Sequence, residues 1–173
     1  MCLCLGPSGS GKTLLLKKLQ NWLSVDETTT AVPTVGTNIF LIKSGSNQHS
    51  VREIGGQMAP IWSNYFTGIK KLIYVVDTSN LCQISAAGVL LYTILANPQL
   101  KFCKFLLVLT KMDVSYRQMR NEALLMLQMR RLQKEICQEI KIVESSAITG
   151  EGKDVILRWL DEGESKVTKQ INN

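Results

Sequence analysis

The chain reads as an α/β fold built on a mainly parallel sheet with helices on both faces. Three observations predict it. Short β-rich runs alternate with longer helical patterns along the whole sequence, as strand–helix–strand units require. Two of those runs, Lys71-Leu72-Ile73-Tyr74-Val75-Val76-Asp77 and Lys104-Phe105-Leu106-Leu107-Val108-Leu109, have the character of buried strands. The 173 residues, 45% hydrophobic and 20% charged, suffice for one domain over 1–173 with a three-layer core.

Taken in order, Cys2 to Leu5 is the first strand and Lys12 to Leu23 the first helix. The polar stretch Ser24 to Thr37 contains Asp26-Glu27-Thr28-Thr29-Thr30 and Pro33. It is long for a connection in a compact domain, and such loops are functional or disordered. Asn38 to Lys43 and His49 to Ile54 form a hairpin joined by Ser44-Gly45-Ser46-Asn47. His49, the sole histidine, is expected to be exposed at the hairpin end, without a catalytic role. Gly55 to Thr67 is irregular, with helical character around Trp62.

The strand Lys71 to Asp77 leads to a helix over Gln83 to Ala96. After the strand Lys104 to Leu109, Arg117 to Ile140 is rich in helix formers and admits one helix or two. Met119, Met126 and Met129 read there as core and surface filler rather than ligands. Lys141 to Glu144 is the last strand. Lys153 to about Thr168 is the last helix, with Val155, Ile156, Trp159 and Leu160 as its buried stripe.

The formal net charge of +6 can steer a chain toward anionic partners, but a soluble basic domain with a solvated face is the preferred reading. No Lys/Arg block with interleaved aromatics accompanies it, so no nucleic-acid partner is expected. The five cysteines are odd in number and lack metal-ligand spacing. Several lie in apolar runs, which points to a reducing, cytoplasmic setting. Runs such as Phe105 to Leu109 are far too short to span a bilayer, so no integral membrane segment is expected. The start Met1-Cys2 lacks the glycine that N-myristoylation needs. Cys2 and Cys4 read as buried strand residues rather than acylation sites.

Gly6-Pro7-Ser8-Gly9-Ser10-Gly11-Lys12-Thr13 fits G-x-x-x-x-G-K-[ST], a loop that cradles nucleotide phosphates. The glycines allow backbone angles that a side chain forbids and let the main chain approach a phosphate. Successive N–H groups can point into one concavity at the positive end of the following helix. Lys12 then lies along the β- and γ-phosphates, and the Thr13 hydroxyl binds Mg²⁺. The alternative is a glycine-rich turn with a stray lysine. The setting of strand, loop and helix argues against it.

Four further segments suit a guanine nucleotide; each is weak alone, and their order makes the case. Thr110-Lys111-Met112-Asp113 follows a buried strand. Asp113 can accept hydrogen bonds from N1–H and the 2-amino group of guanine, a donor pair that adenine lacks, while the Lys111 stem lies over the base. In Ser145-Ser146-Ala147, ahead of Gly150-Glu151-Gly152, backbone N–H groups at Ser146 and Ala147 can meet the guanine O6. Thr34, in Pro33-Thr34-Val35-Gly36-Thr37, can complete the Mg²⁺ shell when the γ-phosphate is present, ordering its loop. In Glu53-Ile54-Gly55-Gly56-Gln57, Gly56 N–H can meet the γ-phosphate and Gln57 can orient the attacking water.

With these segments in place, the chain resembles the ADP-ribosylation-factor branch of the small GTPases. The carriers are GPSGSGKT (6–13), PTVGT (33–37), REIGGQ (52–57), PIWSNYF (60–66), IYVVDTSN (73–80), TKMD (110–113) and SSAITGEG (145–152). The resemblance implies a P-loop NTPase of the small G-domain type, with a six-stranded sheet. It also implies Mg²⁺·GTP and GDP binding, slow hydrolysis, and loops 24–37 and 55–67 that rearrange with nucleotide state. Protein effectors, an exchange factor and an activating protein would be its partners, the chain itself a monomer, and membrane traffic its setting.

Departures from the family pattern carry expectations of their own. Five residues precede Gly6, so attachment through the family's N-terminal amphipathic helix is not expected. Glu53 stands where the family has Asp, as part of the metal site, and should crowd the waters on Mg²⁺. Thr110 stands where most members have an Asn that stitches the base loop to the phosphate loop. The second switch is shorter by two residues between Gln57 and Trp62. Of the family's partner-binding aromatic trio, at 37, 52 and 65, only Tyr65 is aromatic. Two other readings stay open: a pseudo-GTPase that binds GTP and serves as an interaction module, and a P-loop kinase or ATPase. The second suffers because Arg117, Arg120, Arg130 and Arg131 follow the base loop rather than forming a lid over phosphates.

Overall fold

The structure is a computed structural model that describes residues 1–25, 28–29 and 32–163. Its strands are β1 (Cys2–Leu5), β2 (Thr37–Ser44), β3 (Asn47–Ile54), β4 (Lys71–Asp77), β5 (Lys104–Thr110) and β6 (Ile140–Glu144). Its helices are α1 (Lys12–Gln20), α2 (Leu81–Leu95), α3 (Arg117–Met126), α4 (Met129–Glu135) and α5 (Lys153–Asp161). They build one six-stranded sheet in the order β2-β3-β1-β4-β5-β6, with only the β2–β3 pair antiparallel.

Alternation along the central strands divides the core into two layers. Leu3, Leu5, Tyr74, Val76, Leu107 and Leu109 face one side, against Ile84 and Leu91 of α2 and Ala123 of α3. Cys2, Cys4, Ile73, Val75, Leu106 and Val108 face the other, against Leu15, Leu16 and Leu19 of α1 and Ile156, Trp159 and Leu160 of α5. Both faces are therefore covered, as parallel strands demand. Burial pushes the Cys2 thiol up to about 12, which makes it a small hydrophobe rather than a nucleophile. No described helix is long and apolar enough to cross a membrane.

Several boundaries differ from the sequence reading, each for a local reason. Helix α1 stops at Gln20 because Asn21 turns extended and its side chain accepts from Leu23 N–H, starting a 3₁₀ turn over Trp22–Ser24. The hairpin turn is tighter than expected: Ser44 pairs with Asn47, leaving only Gly45 and Ser46 between strands. Gly56–Tyr65 is a single 3₁₀ stretch. The run 117–140 splits into α3 and α4 at Gln128, whose backbone is left-handed at φ 50°. Helix α5 closes at Asp161, with Glu162 extended and Gly163 at φ +83°. The expected positions 164–168 lie outside the described residues.

Two burial expectations are corrected. Val155 is 44% exposed, so the inner stripe of α5 is Ile156, Trp159 and Leu160. His49 is buried at 5% exposure, not solvent-facing. The alternation of β3 turns it to the same side as Val51, and the end of α5 crosses above it. There its Nε2 lies 2.8 Å from Asp161 Oδ1. Asp161 also accepts from Ser44 Oγ at 2.5 Å and Asn47 Nδ2 at 2.8 Å, which pins the hairpin tip to α5.

Candidate nucleotide-binding site

The phosphate loop connects the carboxyl end of β1 to the amino end of α1. Gly6 leaves the strand at φ +151°, so close to β4 that a Cβ would stand 2.3 Å from Val75 O. Only glycine fits there. Gly9 and Gly11 are also left-handed, at φ +78° and +88°, and Gly11 O receives the first helical bond from Leu15 N–H at 2.9 Å. The Lys12 ammonium folds back to donate to Gly6 O and Pro7 O, each at 2.8 Å, closing the loop into a ring. An ammonium has three protons, so one remains for a ligand in the cavity beside it. Burial lowers the Lys12 pKa, and the Glu53 carboxylate opposes that shift. Ser10 contributes through its carbonyl, described below, since its hydroxyl is buried without a partner among the described residues.

A second group of atoms gathers where α1, the 32–36 loop and β3 meet. Thr13 Oγ1 is 2.8 Å from Thr34 Oγ1 and donates to Glu53 Oε1 at 2.5 Å. Thr34 Oγ1 reaches the same carboxylate oxygen at 3.3 Å, and Asn38 Nδ2 donates to Glu53 Oε2 at 3.3 Å. Glu53 is 0% exposed. Two hydroxyls and a carboxylate are hard oxygen donors, the kind that Mg²⁺ takes. Thr13, Thr34 and Glu53 line one cavity together with Gly11, Lys12 and Gly56, so the residues present fit a metal–phosphate ligand.

The paired glycines after β3 each allow one close passage. A Cβ on Gly55 would stand 2.3 Å from Thr34 O, and one on Gly56 would stand 2.2 Å from Ser8 N. Gly55 N–H also donates to Gly36 O at 2.9 Å, and the Trp62 indole donates to Gly55 O at 3.1 Å. The first loop, the second loop and the phosphate loop are thus in backbone contact. Gln57 is not part of that convergence. It is exposed at the start of the 3₁₀ stretch and does not line the cavity.

The far end of the site is built on β5 and β6. Thr110, at the end of β5, donates its hydroxyl toward Ser10 O at 2.7 Å and Val76 O at 3.0 Å. The base loop and the phosphate loop are therefore stitched by a threonine. Lys111 is held at φ +60°, and its ammonium meets Asp77 Oδ2 at 2.6 Å. Asp113 accepts from Ser146 Oγ at 2.6 Å. The same Ser146 hydroxyl receives N–H groups of Ile148 at 3.2 Å and Thr149 at 3.1 Å, which fixes the turn that holds Ala147.

The sequence reading missed three contributors. Asn38 follows the 33–37 segment directly, yet nothing in its type announced a carboxylate partner. Asp77 stood within a quoted segment without a role. Trp22 left no signal at all: its ring fills the space over Gly150, where a Cβ would lie 2.0 Å from it. Lys18 and Lys153 place their ammonium groups 4.4 and 4.5 Å from that ring. The indole thereby links the end of α1 to the loop after β6.

A six-stranded sheet of this order, a phosphate loop after β1 and polar turns after β5 and β6 define a P-loop protein of the small GTPase class. Among the solved structures that share the fold is that of the small GTPase Arl6 (BBS3) from Trypanosoma brucei with bound nucleotide analogue GppNp. It matches at a TM-score of 0.77 and 22% identity over 93% of this chain and 94% of that one. The sequence profile of the ADP-ribosylation factor family matches residues 1–163. Human ADP-ribosylation factor-like protein 16 is 36% identical over 92% of this chain and 84% of its own length. ADP-ribosylation factor-like protein 1 of Caenorhabditis elegans is 30% identical over 91% and 85%. The chain belongs to the ADP-ribosylation factor family, and membership makes it a GTP-binding switch protein that takes GTP and GDP.

Proposed function

We propose that the chain is a Mg²⁺-dependent GTP switch, one domain and a monomer, acting in the cytoplasm. Gly6 to Thr13 hold the phosphates, with the remaining Lys12 proton directed to the β- and γ-oxygens. Thr13 and Thr34 supply hydroxyls to Mg²⁺, with Glu53 beside them. When bound, Mg²⁺ neutralises charge on the phosphate oxygens. Gly56 N–H meets the γ-phosphate. Asp113 accepts the guanine N1–H and 2-amino protons, Lys111 covers the base, and Ser146 and Ala147 face O6. Loops 24–37 and 55–67 change with nucleotide state and present the surface that effectors read. An exchange factor and an activating protein set the cycle, and an arginine supplied in trans adds about 10³–10⁵ in rate.

The observation that carries this reading is the stitch from Thr110 to Ser10 O at 2.7 Å. It fixes the spacing between a cation corner and a guanine-type acceptor, so a single nucleotide bridges both. The test is the nucleotide that co-purifies with the protein, identified by chromatography. Guanine nucleotide is expected, and adenine nucleotide overturns the reading.

The exposed position of Gln57 favours a second reading, a pseudo-GTPase that holds GTP and acts as an interaction module. Single-turnover hydrolysis with and without cell extract separates the two. Stimulated turnover that Gln57→Leu abolishes supports the switch; no turnover in either condition supports the module.

A further inference from the structure

In a switch of this kind the tie that draws the first loop over the metal is the γ-phosphate, with Thr34 joining the metal shell only while that group is present. Here the loop has ties of its own. One oxygen of Glu53 stands within reach of both threonine hydroxyls, 2.5 Å from Thr13 and 3.3 Å from Thr34. The two hydroxyls are 2.8 Å from each other. The other Glu53 oxygen is held by Asn38, its cross-strand neighbour in the hairpin, so the carboxylate cannot rotate away without breaking that contact. Glu53 is fully buried and lines the same cavity as the two hydroxyls. Independently, the Thr34 carbonyl packs on Gly55, and Gly36 O accepts from Gly55 N–H at 2.9 Å.

We propose that Glu53 is a positioning residue that holds Thr34 beside Thr13 whichever guanine nucleotide is bound, so that Thr34 supports the metal in the GDP form as well as the GTP form. Each threonine has one proton: Thr13 gives its own to Glu53 at 2.5 Å, and Thr34 has Thr13 at 2.8 Å and Glu53 at 3.3 Å as acceptors, so both oxygens keep a lone pair for a ligand in the cavity they line. Partners of this type orient metal ligands and raise their basicity. The side-chain length is what matters. A carboxylate one methylene shorter, starting from the same β3 backbone, draws back from both hydroxyls, and the contact already at 3.3 Å, to Thr34, is the first to be lost. The consequence is regulatory: the 32–36 loop carries less of the difference between nucleotide states, and the 55–67 loop carries more. The inference rests on the GTP-switch reading above and assigns a regulation to the same site.

The test is the Mn²⁺ affinity of the GDP-loaded protein, read by electron paramagnetic resonance titration, with Mn²⁺ in place of Mg²⁺. Glu53→Asp should weaken it about 10-fold, at the lower end of what loss of a partner that orients a metal ligand costs. Thr34→Ala should weaken it at least as much, and adding Glu53→Asp to Thr34→Ala should cost nothing further. Melting temperatures of the loaded variants separate this coupling from general loosening of the fold, because only the coupling makes the two changes non-additive. If Thr34→Ala leaves the GDP complex unchanged, or if the two changes simply add, the inference is overturned and the switch reading stands. A chain that loads no guanine nucleotide overturns both.

Discussion

The two ends of the nucleotide cavity are assembled in different ways. At the base end, Thr110, Lys111, Asp113 and Ser146 sit on the carboxyl ends of adjacent parallel strands or in the turns directly after them. They are fixed by short bonds between those neighbours: Thr110 to Ser10, Lys111 to Asp77, Ser146 to Asp113. At the cation end, Thr13, Thr34 and Glu53 come from a helix, a loop and the only antiparallel hairpin of the sheet. Two glycines let three backbones touch beside them, and Asp161 pins the far tip of the hairpin that carries Glu53. The first end is specified by secondary structure, the second by tertiary contact. On the proposed reading, function divides along the same line: the base end chooses the ligand, and the composite end responds to it.

The largest effect is expected at the base end. Asp113→Asn removes the acceptor for two guanine donors, each charge-assisted bond being worth about 1.5–3 kcal/mol. Affinity for GTP is expected to fall by at least about 100-fold while xanthosine triphosphate gains, measured by competition binding. Unchanged selectivity would remove Asp113 from the site.

A smaller effect is expected from the stitch between the two ends. Thr110→Val leaves the buried carbonyls of Ser10 and Val76 without that donor, at a cost of about 1–3 kcal/mol in stability. Thr110→Ser keeps the hydroxyl and should cost less than the valine change. Denaturant midpoints of the three proteins decide it, and equal losses in both variants would mean that methyl packing, not the bond, matters.

The smallest effect sharpens the composite end. Hydrogen bonds from Ser44 and then Asn47, with His49 beside them, pull the Asp161 carboxyl from 3.8 down to about 2. The unfolded chain therefore takes up that proton more readily. The contribution is complete above about pH 4 and is lost as pH falls toward 2. Thermal melts of wild type and Asp161→Asn should differ by a constant offset above pH 4 and converge below it. Parallel curves throughout would show that the latch to the hairpin does not depend on the charge.

Legibility in the sequence followed the same division. The phosphate loop, the strands with continuous apolar runs and the order of the base-end segments could be read directly, because strand position alone brings Thr110 and Ser146 to one edge. The tip of the hairpin could not. A histidine in a polar segment looks solvent-facing until a helix more than a hundred positions away covers it, and no local pattern encodes that crossing. The same holds for Trp22, whose partners Lys18, Lys153 and Gly150 come from three separate elements. Glu53 looked like a residue too long for its place. Its length is what reaches Thr34, a fact visible only with the loop in position. Gln57 matched its pattern, yet the 3₁₀ stretch that begins at Gly56 carries it outward.

On the proposed reading, one cavity recognises a guanine ring at one end and a metal-bound triphosphate at the other. Isothermal titration of nucleotide-stripped protein with GTP and with ATP, each with Mg²⁺, tests it most directly. Tight GTP binding is expected, with ATP binding at least about 100-fold weaker, the loss of two charge-assisted bonds. Equal affinity for the two purines would contradict it.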